Sequence, residues 1–297
     1  MKSKRQLLEV PISDGVLTVA RWIAEGPRVL LVHGISSSHM AWYDIANALH
    51  DEGFDIIAPD LRGRGASNSV RGGYGLKAHE NDLRQIINYF SGKPVTLVGH
   101  SMGAYVGVQF AVNFPEHLDR LILVDGGIAL PRPLDVEPEA YLLKTLGPAL
   151  DRLSLEFDDK EAYFDFWRAH PSFSDPTNWS KGVEYFLEYD LEPAKSGRLK
   201  SRVAKDAVFK DGGDLMAPSM VKLIDEVKAP MLLLTAERGL LNQEKPMLPV
   251  AGVKEKVASI EHLAWQEIPN TNHYSITLSN GIVPVSVAIQ DFCRSCE

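Results

Sequence analysis

Pro94-Val95-Thr96-Leu97-Val98-Gly99-His100-Ser101-Met102-Gly103-Ala104 decides how the rest of the chain reads. The Val/Leu run is short and apolar, which predicts a buried strand. It ends in Gly99-x-Ser101-x-Gly103, and Ala104 to Asn113 reads as a helix. A serine between two glycines at a strand-to-helix turn is a nucleophile elbow. In so tight a turn, side chains at the flanking positions would strike neighbouring backbone, and glycine removes them. Ser101 is then raised at the sheet edge with a helix N-terminus beneath it. The unpaired N–H groups and partial positive charge of that terminus suit a developing oxyanion.

Outward from the elbow the pattern is strand, helix, strand. Leu7-Leu8-Glu9-Val10-Pro11-Ile12 and Val16 to Trp22 predict a hairpin turning at Asp14-Gly15. Val29-Leu30-Leu31-Val32, Phe54 to Ala58, Leu121 to Val124, Met231 to Leu234 and Trp265 to Ile268 predict further strands. Apolar positions at helical spacing predict helices over His39 to Asp51, Leu76 to Phe90, Ser219 to Val227 and Val285 to Arg294. Continuous apolar strands alternating with helices predict an α/β fold, a mostly parallel sheet covered on both faces. The alternation breaks at Pro131-Arg132-Pro133, and no buried strand is read from there to about Pro218. That stretch concentrates aromatics from Tyr163 to Tyr189, which argues for a packed helical insertion and against a linker. The expected division is a core of residues 1–130 and 219–297 with an insertion over 131–218.

Composition limits the partners. The 297 residues are 45% hydrophobic and 24% charged, ordinary for a globular chain. The charge balance is 31 − 39 = −8, which disfavours a polyanion, so no nucleic-acid partner is expected. The basic start Met1-Lys2-Ser3-Lys4-Arg5 reads as a solvated terminus with no signal-peptide core behind it. No apolar run is long enough to span a bilayer, so no membrane partner is expected. Cys293 and Cys296 read as reduced thiols at helical spacing, with no second pair to complete a zinc site. The expectation is a cytoplasmic protein that uses no metal and no cofactor.

A serine hydroxyl needs a base, a group to hold that base, and donors for the oxyanion. Among nine histidines, His273 lies in the polar loop after the last predicted strand, where the order Ser–acid–His requires the base. His262 precedes that strand, on the wrong side of the sheet. The oxyanion donors are expected to be the backbone N–H groups of Met102 and Ile35, with Gly34 allowing close approach.

The runs His33-Gly34, Pro59-Asp60-Leu61-Arg62-Gly63-Arg64-Gly65-Ala66-Ser67, Gly99-His100-Ser101-Met102-Gly103 and Asn272-His273 together resemble the α/β-hydrolase superfamily over nearly the whole chain. The resemblance implies that the insertion is a helical cap roofing the site. It also implies that the acid follows the penultimate strand, as Gly-x-x-Asp. This chain departs there: Thr235-Ala236-Glu237-Arg238-Gly239 has glycine where the aspartate is expected. Two acids remain. Some members resemble this chain in placing the acid after the strand that follows the elbow helix, which is Asp125. Glu237 occupies the more usual loop. Asp125 is preferred.

The implied activity is hydrolysis of a carboxylic ester, lactone or thioester through an acyl-enzyme on Ser101. The nearest rival uses the same triad on the carbon–carbon bond of a diketone-type ring-cleavage product. A non-catalytic receptor or interaction module is the rival from another class. Epoxide hydrolases and dehalogenases carry an aspartate where this chain has Ser101. The expected partner is an apolar or aromatic small molecule, with Trp42, Phe166, Trp167 and Tyr185 as candidate pocket residues.

Overall fold

A computed structural model describes residues 4–129 and 137–295. The break at Pro131-Arg132-Pro133, the boundary at residues 130/131, the first three residues of the basic start and Cys296 lie outside them. Eight strands form the main sheet: β1 Gln6–Ile12, β2 Gly15–Trp22, β3 Arg28–Val32, β4 Asp55–Pro59, β5 Val95–His100, β6 Leu118–Val124, β9 Met231–Ala236 and β10 Leu263–Ile268. Their order is β1-β2-β4-β3-β5-β6-β9-β10. Only the β1/β2 and β2/β4 pairings are antiparallel, and the other neighbours run parallel.

Period-two alternation explains why the strands read as unbroken apolar runs. Successive side chains point to opposite faces, and here both faces are covered. Leu30, Val32, Leu97, Leu121 and Leu233 join one core, with Leu83 and Ile86 of α2 (Leu76–Phe90) and Val106 and Phe110 of α3 (Met102–Asn113). Their neighbours Leu31, Val98, Ile122 and Leu234 join the other, with Ile45 and Leu49 of α1 (Tyr43–Asp51) and with Val285 and Ile289 of the terminal helix Ile282–Arg294. These central strands therefore have no polar face to display, whereas the edge strands β1 and β10 expose Gln6, Glu9, Gln266 and Glu267.

Between β6 and β9 the chain folds as helices α4 (Pro138–Leu146), α5 (Lys160–Arg168), α6 (Lys181–Tyr189) and α7 (Lys205–Leu215). It also forms a short antiparallel pair, β7 (Leu191–Pro193) and β8 (Leu199–Ser201). No strand was expected here. Three residues per strand, bounded by Pro193 and Gly197, leave too short a pattern to show period two. Tyr163, Phe164, Trp167, Val183, Phe186 and Leu187 pack into a separate aromatic core that also takes Met40, Ala41 and Leu278.

Buried polar links tie this segment to the sheet. Arg64 pairs with Asp211 of α7 at 2.6 Å, and His79 meets the same carboxylate at 2.9 Å. Burial opposes the Asp211 charge, but the adjacent His79 and Arg64 outweigh it and hold the carboxyl below the usual range. Tyr189 Oη donates to buried Asp60 at 2.7 Å.

Candidate active site

Ser101 follows β5 directly and precedes α3. Its φ of 54° and ψ of −121° lie where L-residues are strained. The flanking glycines make that turn feasible. A Cβ on Gly99 would stand 2.2 Å from the Gly103 carbonyl oxygen, and one on Gly103 would stand 2.2 Å from that of Val32. The Ser101 N–H donates to Val124 O at 3.0 Å, which anchors the elbow to β6.

His273 lies beyond β10, in a loop pinned by Asn272. The Asn272 Oδ1 accepts the N–H groups of Tyr274 and Ser275, each at 2.9 Å, and its Nδ2 donates to Ser172 O at 2.8 Å. His273 Nε2 stands 3.0 Å from Ser101 Oγ, and Nδ1 stands 2.7 Å from Asp125 Oδ2. With Nδ1–H donating a hydrogen bond to the carboxylate, Nε2 is left to accept from the hydroxyl. Asp125 immediately follows β6 and is fully buried. Its N–H donates to Leu234 O at 2.7 Å, and its Oδ1 accepts the Ala236 N–H at 3.1 Å. The structure thus brings Ser101, His273 and Asp125 into one chain of hydrogen bonds. Glu237 is elsewhere, with Oε2 accepting the Asn270 N–H at 2.6 Å.

The Gly34–Ser38 loop faces Ser101, and a Cβ on Gly34 would lie 3.3 Å from Ser101 Cβ. Among the described residues, neither the Ile35 nor the Met102 N–H donates to a protein acceptor. The carbonyls of this loop are held from behind. Arg64 Nε donates to Ile35 O at 2.9 Å, and Arg152 Nη2 donates to Ser36 O at 2.7 Å. His33 Nε2 accepts the Leu61 N–H at 3.0 Å, so its Nδ1 carries the proton and donates to Gly34 O at 2.8 Å.

That bonding keeps His33 neutral, and burial lowers its pKa to about 3. Burial and the nearby His273 push His100 well below the ordinary value, and burial with Arg152 lowers His170 to about 4. The unfolded chain protonates these rings near pH 6.5 and the folded one does not. Their neutrality therefore costs nothing above pH 6.5 and increasingly destabilises the fold as pH drops below it. Asp60 and Asp211, held below their usual range, lose their contribution only below about pH 4, so they offset nothing in that window. Lowering pH from 7 to 5 should cost about 2 kcal/mol of stability each for His33 and His170, and His100 acts in the same direction. Urea midpoints at the two pH values check this, and equal midpoints would refute it.

Two cavities meet at Ser101. One, of about 40 Å³, is bounded by His273, Ser37, Trp167, Phe186, Tyr274 and Leu278. The other, of about 220 Å³, is bounded by Tyr105, Ile128, Leu142, Leu146, Leu215 and Met247. Trp167 is the one sequence-predicted pocket aromatic found at either cavity. Trp42 is fully buried in the core with Ile45 and Leu49, because the apolar face of its helix turns to the sheet. Phe166 packs on Phe157 at 5.6 Å, beside Tyr163, which meets the same ring at 4.8 Å, and borders neither cavity. Tyr185 lies on the outer face of α6, half-exposed against Tyr43 at 6.5 Å. The aliphatic lining went unnoticed in the sequence, where nothing separates Leu142 or Leu215 from ordinary core leucines. Among the described residues no cluster of three or more His, Cys, Asp or Glu is placed to hold a metal, and no helix is long and apolar enough to cross a membrane.

A family model described as alpha/beta hydrolase fold matches residues 27–275. An uncharacterized protein of Mycobacterium tuberculosis is 41% identical over 107 residues, 36% of this chain and 31% of that one. The chain therefore spans about a third of the length of the first curated relatives that it matches. A putative 2-succinyl-6-hydroxy-2,4-cyclohexadiene-1-carboxylate synthase of Bacillus subtilis is 27% identical over 282 residues, covering 88% of this chain and 94% of that one. The crystal structure of E-2-(acetamidomethylene)succinate hydrolase superposes with a TM-score of 0.78 at 23% identity, over 97% of this chain and 99% of that one.

Proposed function

The chain belongs to the α/β-hydrolase family, and from that premise we propose that it is a serine hydrolase that cleaves a carboxylic ester through an acyl-enzyme on Ser101. The observation carrying the reading is the continuous path from Ser101 Oγ through both His273 nitrogens to Asp125, at 3.0 and 2.7 Å. His273 Nε2 takes the hydroxyl proton as Oγ attacks the carbonyl carbon. The oxyanion meets the Ile35 and Met102 N–H groups, and one such donor is worth about 10²–10³ in rate. The proton on Nε2 then passes to the leaving alcohol oxygen. Water, deprotonated by the same nitrogen, attacks the acyl carbon, the C–Oγ bond breaks as Nε2 returns its proton to Ser101 Oγ, and the acid is released. Asp125 stays ionised and holds the ring in the productive tautomer. Within the insertion, the described residues 137–218 act as the cap that shields these steps from bulk water.

The lining favours an uncharged ester over an acid. The names of the B. subtilis relative and of the superposed hydrolase both specify carboxylated molecules. Among the described residues no Lys or Arg side chain lines either cavity beside Ser101, and a buried carboxylate without a cation is costly. A fluorophosphonate probe should label Ser101, and simple alkyl esters should turn over while a vinylogous diketone acid does not. Turnover of the diketone acid alone would move the activity to carbon–carbon cleavage. Absence of labelling with no turnover of either would leave a non-catalytic receptor.

A further inference from the structure

We propose that the two cavities divide the substrate by role: the 220 Å³ apolar cavity holds a medium-length aliphatic acyl chain, and the 40 Å³ cavity beside His273 holds a small leaving group. This inference rests on the ester-hydrolase reading and names its substrate class.

The assignment follows from where the proton must go. The oxyanion is committed to the Ile35 and Met102 amides, so two substituents of the tetrahedral carbon remain to be housed. The leaving oxygen must receive the proton from His273 Nε2 and has to lie within hydrogen-bond reach of it. Only the smaller cavity is bounded by His273; the larger is bounded by Ser101 and Met102 without it. The leaving group therefore points into the smaller cavity and the acyl group into the larger. Leu146 and Leu240 border both and form the partition.

Size and chemistry then define each half. A methylene occupies about the space of one water, ~30 Å³, so the larger cavity accommodates roughly six to eight carbons. Its walls are aliphatic, and Met102, Met216 and Met247 border it. Thioether side chains adapt their shape to a flexible chain. No charged side chain lines it among the described residues, so the acyl chain is uncharged. The smaller cavity is enclosed by Trp167, Phe186 and Tyr274, rings that yield little. On the same scale its 40 Å³ takes about one carbon, so the methyl of a methoxide fits there and a bulky alcohol does not.

The test is a grid of alkyl esters followed by pH-stat titration. With methyl esters, kcat/KM should rise about three- to fourfold per acyl methylene and level off near six to eight carbons. With octanoate esters it should fall by at least about tenfold from methyl to butyl. Leu215→Trp fills the larger cavity and should lower the methyl octanoate to methyl acetate ratio at least about tenfold, leaving the methyl-to-butyl preference as it was. Leu278→Ala enlarges the smaller cavity and should raise the butyl-to-methyl ratio several-fold while the acyl optimum stays in place. Thermal melts verify folding of both variants. Should either fail to fold, the wild-type grid decides alone. A chain-length profile that is flat or peaks at acetate overturns the proposal, as does a Leu215→Trp effect confined to the alcohol. Either of those results keeps ester hydrolysis intact. Loss of the parent reading shows differently, as no turnover anywhere on the grid, and takes this division with it.

Discussion

Substituting Asp125 with asparagine should lower kcat by about four orders of magnitude with KM nearly unchanged, whereas Glu237→Gln should stay within about twofold of wild type. An amide at residue 125 keeps the shape of the side chain but can offer its NH₂ to His273 Nδ1. That favours the tautomer with the proton on Nε2, which cannot accept from Ser101. The defect belongs to the transition state, where the imidazolium needs a fixed negative charge at 2.7 Å, so substrate binding is spared. Glu237 has no such partner; its carboxylate accepts the Asn270 N–H at the surface. Steady-state kinetics on the two purified variants decide between them, and a collapse in Glu237→Gln with Asp125→Asn intact would reassign the acid. A conserved melting temperature in Asp125→Asn is part of the expectation, because Oδ1 still accepts the Ala236 N–H.

The contrast between these two acids shows what the sequence carried. The elbow was legible because its cause is local. Gly99, Ser101 and Gly103 meet backbone within a few residues or on the adjacent strand, and glycine there records a steric demand that any reader of the chain can see. His273 was legible through order along the chain and the polar loop around it. The choice of Asp125 over Glu237 needed the resemblance, because the deciding contacts are remote. The Ala236 N–H reaches Asp125 only when β9 lies against β6 in the observed register, and spacing does not encode register between strands more than 100 residues apart. The pocket was least legible. Aromatic density led to the expectation of a packed insertion, but which helix face turns inward depends on how α5 and α6 sit on the sheet. Trp167 faces the cavity, while Phe166, the adjacent residue, does not. The paired charges Arg64 and Asp211 were invisible for a related reason. Asp211 belongs to a helix that resembles a solvated one until α2 and the Arg64 loop close over it.

Ser101→Ala and His273→Ala should each reduce kcat by about 10⁶, and the double variant should be no slower than either single one. The two side chains act through one proton. Without the hydroxyl, the imidazole has nothing to deprotonate in the acylation step; without the imidazole, the hydroxyl attacks with its proton still attached. Once either is gone, the other has no remaining task, so the two losses overlap and do not multiply. What survives in all three variants is binding and the Ile35 and Met102 amides, which keep a residual rate of about 10³–10⁴ over water. The backbone at residue 101 is strained for serine and alanine alike, so Ser101→Ala should melt close to wild type and its loss can be assigned to chemistry. A double-mutant cycle in kcat, on one ester, measures the coupling directly. A double variant measurably slower than both singles would mean that Ser101 and His273 contribute independently. Retention of a tenth of wild-type turnover by Ser101→Ala would mean that the reacting nucleophile is some other group.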